Sequence, residues 1–203
     1  MCRPYTYTDD HHCVSMIYDP DKHHRRSIRL RGYDYSAQGA YFVTICVRGR
    51  ECLLGDVIGG KMCLSEYGRA VTECWDAISD HSGHVDVDAF VVMPNHIHGI
   101  IVIVRATDTS PDTVAHRSRR PKGPPQGSLG AVVGAFKAAA IRRINVLRGA
   151  PGATFWQRNY YEHIIRDSAA LARIRAYIES NPARWKDDQL HPAAPPNRFN
   201  QIP

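Results

Sequence analysis

In the run Met93-Pro94-Asn95-His96-Ile97-His98-Gly99, two histidines flank one bulky apolar residue inside an otherwise apolar segment. Side chains alternate faces along a strand, so His96 and His98 point one way and Ile97 the other. Two imidazoles about 7 Å apart on one rigid face, from the strand rise, can share a divalent metal. The same pattern also suits two polar residues on the wet face of a half-buried strand. A second group lies in the C-terminal half, where Asp167-Ser168 opens an expected helix that ends Ile174-Arg175-Ala176-Tyr177-Ile178-Glu179-Ser180-Asn181-Pro182. Tyr177 and Asn181 are four residues apart and share a helix face. An Asn oxygen can be a third ligand beside two histidines, and a Tyr hydroxyl one turn away can be a nucleophile. The plainer reading makes Tyr177 a part-buried amphipathic aromatic and Asn181 a helix end imposed by Pro182, since the position before proline disfavours helix.

These residues need a frame, and the hydrophobic pattern supplies one. Residues 40–47 form a β-branched and aromatic strand, and 53–64 break at Gly59-Gly60 as a hairpin. Ser65, followed by Glu66, caps a helix with apolar Val71, Cys74, Trp75 and Ile78, ended by His81-Ser82-Gly83. Val85 to Met93 and Ile97 to Val104 read as two central strands separated by Pro94-Asn95, with His96, His98 and Ile100 on one face. Residues 105–127 read as a long mobile loop. Ser128 caps a helix through about Leu147, striped by Leu129, Val132, Val133, Phe136, Ala140 and Ile144 and stopped by Gly149. An extended piece over 155–165 precedes the helix bearing Tyr177. The expected organisation is a loosely ordered arm at 1–24, a single domain over 25–186, and a Pro-rich tail at 187–203 without regular structure. That order of elements suits an α+β sandwich, an antiparallel sheet with helices on one face.

With 203 residues the chain can bury one good core. No apolar run spans a bilayer and the N-terminus lacks the apolar centre of a signal peptide, so a cytoplasmic protein without a membrane partner is expected. The six cysteines, Cys2, Cys13, Cys46, Cys52, Cys63 and Cys74, lack Cys-x-x-Cys spacing and are expected to be reduced, mostly buried thiols, with a zinc site as the alternative. A net charge of +6 favours a polyanionic partner. The charge is clustered at Arg25, Arg26, Arg29 and Arg31, at His116 to Lys122, and at Lys137, Arg142, Arg143 and Arg148. Each cluster alone could be a solvated face or a flexible tail. Three of them flanking one candidate metal site favour a nucleic-acid surface. Trp156, Tyr160 and Tyr161, interleaved with Arg158 and followed by Arg166, could stack on unpaired bases and touch phosphate, although core packing is the default for Trp156. Glu162-His163 is a second constellation, in which His163 could orient a ligand, touch DNA or carry a proton, and could equally be a satisfied structural histidine.

Four blocks in order carry a family resemblance: Gly39 to Cys46; Phe90 to His98; Phe155 to Arg166; and Tyr177 to Pro182 with Trp185. With them the chain resembles the REP-associated tyrosine transposases, single-tyrosine HUH nucleases related to small insertion-sequence transposases. The resemblance implies a ferredoxin-like βαββαβ antiparallel sheet with helices packed mainly on one face. It implies an endonuclease and transposase that cuts and rejoins single-stranded DNA, on hairpins formed by repetitive extragenic palindromes. Tyr177 would be the nucleophile, forming a 5′-phosphotyrosine and a free 3′-hydroxyl, with Mg²⁺ or Mn²⁺ on His96, His98 and Asn181. The oligomeric state, monomer or homodimer, is left open by the family. Two competing readings stand beside it: a domesticated, non-catalytic DNA-binding protein of the same fold, and a metal-dependent nuclease that uses water and has no need of Tyr177.

Overall fold

Alternation along the strands decides the architecture. The computed structural model describes residue 30, residues 32–104 and residues 124–195. Six strands and three α-helices run in the order β1 (Gly39–Cys46), β2 (Gly55–Ile58), β3 (Lys61–Leu64), α1 (Glu66–Asp76), β4 (Val85–Met93), β5 (His96–Ile103), α2 (Leu129–Leu147), β6 (Tyr161–Ile165) and α3 (Ser168–Ser180). β4, β5, β1 and β6 form one sheet in that spatial order, every pair antiparallel, and β2–β3 is a separate hairpin. Leaving out the hairpin, this is the ferredoxin-like βαββαβ arrangement, an α+β fold with α1 and α2 on one face.

Tyr41, Val43 and Ile45 of β1 and Ile97, Ile101 and Ile103 of β5 join α1 and α2 in one core, whose helical side includes Val71, Trp75, Leu129, Val133, Phe136 and Ile144. The opposite face carries Phe42 and Ile100, covered by Ile178, Ile174, Leu171 and Ala170 of α3. The two central strands are therefore buried on both sides, which is why they read as almost unbroken apolar runs. α3 is clamped to β4 where its pairing shifts between Val87 and Phe90: Arg175 donates to both carboxylate oxygens of Asp88, Nε to Oδ1 at 3.0 Å and to Oδ2 at 3.1 Å. An exposed pair of this kind adds little stability, but its forked geometry sets the rotation of the helix.

The helix caps at Ser65, Ser128 and Asp167 form as the sequence indicates, each side chain accepting from a backbone N–H of its first turn. α1 ends at Asp76, earlier than His81-Ser82-Gly83. Asn181, expected to break the helix, keeps helical angles (φ −58°, ψ −44°), and the chain runs on into a 3₁₀ helix over Pro182–Asp187. Proline is tolerated at a first helical position, where it has no N–H to waste. Residues 188–195 hold neither helix nor strand, yet Leu190, assigned to the tail, is buried. Of the cysteines, Cys74 alone among those described is buried, while Cys52 is exposed before the hairpin and Cys63 on β3, whose alternate residues face solvent. Cys2 and Cys13, the arm, and residues 105–123 of the expected loop lie outside the described residues. No helix among the described residues is long and apolar enough to cross a membrane.

Gly99 is a point of close approach, since a Cβ there would collide with the Trp75 indole, itself stacked on Phe90 at 4.5 Å. Gly99→Val should therefore cost about 1–3 kcal/mol by overpacking. Gly134, in the α2 interior with open space around it, should gain about 0.5–1 kcal/mol on replacement by Ala. Thermal unfolding followed by circular dichroism checks both signs.

Candidate functional site

Register places the histidine pair. His96 pairs with Cys46 and Met93, and His98 pairs with Thr44 and Val91, so both rings rise from the middle of the sheet on the face that α3 covers. His96 is fully buried and His98 nearly so. Their Nε2 atoms lie 3.0 Å apart. His96 Nδ1 meets Asn95 Oδ1 at 2.7 Å, and His98 Nδ1 meets Thr44 Oγ1 at 2.8 Å. Burial holds both imidazoles below their ordinary range; for His96, neighbouring His98 and Arg50 add to the effect, and His98 is pushed down to about 3. Neutral imidazoles are the form that binds metal.

α3 and the segment after it bring the remaining groups. Tyr177 Oη lies 3.2 Å from His98 Nε2, with its ring edge-on to Phe42. Burial raises the Tyr177 phenol, as does Asp188, while a hydrogen bond from Asn181 and the charge of Arg184 act the other way. Asp188 Oδ2 is 3.9 Å from His96 Nε2, and His96, His98 and Asp188 present ligand atoms within 4.8 Å of one another. Burial raises the Asp188 carboxyl, opposed by the Leu190 N–H, Asn181 and His191. Asn181 is buried, and its Oδ1 has no hydrogen-bond partner. Two imidazole nitrogens, a carboxylate and an orphaned amide oxygen make a donor set that fits a divalent cation. A cleft of about 210 Å³ opens beside them, lined by Tyr177, Asn181, Arg184, Asp187, Asp188 and Gln189.

The structure thus brings together His96, His98, Tyr177 and Asn181 and adds Asp188 and Arg184, which sequence reasoning missed. Both sit at or beyond the edge of the segment read as a Pro-rich tail, and neither has a periodic neighbour to flag it. Other candidates lie elsewhere. Glu162 pairs with Val43 and so faces the α1–α2 core, on the other side of the sheet from the histidines. His163, paired with Phe42, shares the site's face but is exposed on the edge strand. Lys137 is not a free phosphate contact: its ammonium donates to the carbonyls of Gln157 (2.5 Å), Arg158 and Asn159 (both 3.4 Å), and burial lowers it to about 8. Arg142 is exposed on α2, across the sheet from the histidines, and Arg158 and Arg166 are exposed beside β6. Trp156 is core, and Tyr160 packs against the same core. Tyr161 is exposed on the site's face against Phe42. Arg25, Arg26, Arg29 and Arg31 lie outside the described residues.

No family model matches the sequence. An uncharacterised protein of Haemophilus influenzae is 41% identical over 177 residues, covering 86% of this chain and 97% of that one. The chain belongs to the family of that protein. Among solved structures, that of the REP-associated tyrosine transposase bound to a REP hairpin superposes with a TM-score of 0.50 at 19% identity, covering 77% of this chain and 73% of that chain. The family member described here therefore has a REP-associated tyrosine transposase fold.

Because the folded state holds both imidazoles neutral and an unfolded chain protonates them near pH 6.5, acid favours unfolding. Their contribution is complete above about pH 6.5 and is lost as pH falls toward the depressed folded values. Denaturant midpoints of chelator-treated protein should drop between pH 7.5 and 4.5, and His98→Gln should make that drop shallower.

Proposed function

We propose that this protein cuts and rejoins single-stranded DNA with Tyr177 as the nucleophile. The observation that carries the reading is the Tyr177 hydroxyl 3.2 Å from His98 Nε2, at the edge of a buried pair of imidazoles and beside an open cleft. His96 and His98, with Asn181 and Asp188, would hold Mg²⁺ or Mn²⁺. Such an ion supplies Lewis-acid stabilisation of the non-bridging phosphate oxygens. Mixed nitrogen and oxygen donors suit manganese at least as well as magnesium.

The chain's own groups do the rest. Tyr177 Oη forms a bond to phosphorus, the bond from phosphorus to the 3′ oxygen breaks, the phenolic proton leaves to a base, and the departing oxygen takes up a proton as a 3′-hydroxyl. The product is a 5′-phosphotyrosine, which conserves the ester and lets the reverse step join strands without ATP or water. Arg184, on the cleft wall, would pair with the phosphate. The Arg25, Arg26, Arg29 and Arg31 cluster, with Arg158 and Arg166, would position the strand without doing chemistry. The fold neighbour's REP hairpin supports a hairpin-forming DNA substrate. This is a transposase-type activity in a chain that works as a monomer or homodimer, and a cytoplasmic location follows from that role.

Incubation with single-stranded hairpin oligonucleotides and Mn²⁺ should give a covalent adduct on a denaturing gel, mapping to Tyr177. Tyr177→Phe should lower cleavage at least about 10³-fold, and excess chelator should do the same to the wild type. Cleavage without an adduct that survives Tyr177→Phe would establish the hydrolytic reading, and binding without cleavage the domesticated one. Neutralising Arg25, Arg26, Arg29 and Arg31 together should weaken DNA binding and flatten its dependence on salt, by about one unit of slope per lost phosphate contact.

A further inference from the structure

Asn95 occupies the two-residue turn between β4 and β5, is completely buried, and touches no substrate cleft. Its Nδ2 donates to two backbone carbonyls, Leu190 O at 2.8 Å and Arg50 O at 3.3 Å. Carbonyl oxygens only accept, so these contacts fix which end of the amide is nitrogen. The oxygen end is therefore turned to His96, and an amide oxygen also only accepts. His96 must carry its proton on Nδ1 to make the 2.7 Å contact. Its Nε2 then holds a lone pair, and since two lone pairs would repel at 3.0 Å, His98 donates from Nε2, with the Tyr177 hydroxyl 3.2 Å away as a second acceptor of the same N–H. His98 Nδ1 in turn accepts from the Thr44 hydroxyl at 2.8 Å.

We infer that Asn95 is a positioning residue that presets His96 as a metal ligand through its orientation, leaving His98 as the single histidine that must change tautomer when a cation binds. Ligation through both Nε2 atoms needs the His98 proton on Nδ1, with Thr44 turned from donor to acceptor. His96 needs no change. The same amide links the site to the Arg50 turn and to the segment that carries Asp188, so one side chain holds ligand, turn and C-terminal segment in register. The part of this inference that concerns a cation rests on the proposed metal-dependent reaction, whereas the tautomer assignment does not.

The test uses the full chain with ring-¹⁵N-labelled histidine, free of metal, at pH 7.5. Long-range ¹H–¹⁵N spectra should show His96 protonated on Nδ1 and His98 on Nε2, and Mg²⁺ should move His98 alone to the Nδ1 form. Titration calorimetry with Mn²⁺ should show Asn95→Leu binding about 10- to 100-fold more weakly than the wild type, with His96 in the variant a mixture of tautomers. His96 found protonated on Nε2 in the wild type overturns the inference. So does an Asn95→Leu protein that keeps both wild-type affinity and the Nδ1 form. If Asn95→Leu does not fold, the wild-type spectra decide alone. A wild type with the stated tautomers that binds neither ion would overturn the metal-dependent reaction and leave the assignment of Asn95 standing.

Discussion

Two imidazoles held against each other out of water are the interaction on which the rest of this structure turns. Neither ring can be charged there, and each has two nitrogens that need partners. The fold meets that demand with groups from four separate parts of the chain. Thr44 comes from the neighbouring strand, Asn95 from the preceding turn, Tyr177 from the helix above, and Asp188 from the segment after it. Without α3 the pair would lie on a wet sheet face, as its spacing alone allowed. α3 is thus the lid that desolvates the two imidazoles.

The arrangement also explains why one face of the sheet is chemical and the other is not. Residues 97, 99 and 101 of β5 point into the α1–α2 core, where Trp75 fills the space left by Gly99. Residues 96, 98 and 100 point to α3. A strand with period two lets adjacent residues serve two different environments. The cost is that β5 must be well packed on both sides at once, which its four isoleucines and one glycine achieve.

Much of this was legible in the chain. The caps at Ser65, Ser128 and Asp167, the hairpin at Gly59-Gly60 and the facing of His96 with His98 follow from local rules of side-chain spacing and hydrogen bonding. The pairing of Tyr177 with Asn181 follows from the helical repeat. Asp188 and Arg184 were hidden because their placement depends on the chain continuing helically through Asn181-Pro182, against the usual preference before proline. The face of Glu162 was hidden because period two leaves the choice of inner side to tertiary pairing, which sets it opposite Val43. Lys137 looked like a solvated charge, and only the loop that folds back over it shows carbonyls as its partners.

The unbroken passage from α3 into the 3₁₀ helix has a mechanical meaning. Tyr177, Asn181 and Arg184 recur at steps of four and three, so phenol, amide and guanidinium ride on one rod, with the Asp188 carboxylate on the residue that ends it, while the imidazoles stay with the sheet. The centre is divided between two bodies. Lifting the rod would withdraw the phenol and the side-chain oxygens together and leave the two imidazoles alone on the sheet. Under the proposed reaction, whatever seats the rod, whether cation or phosphate, would by thermodynamic reciprocity tighten the grip on the other, so that assembly of the centre and commitment to the strand would be a single equilibrium.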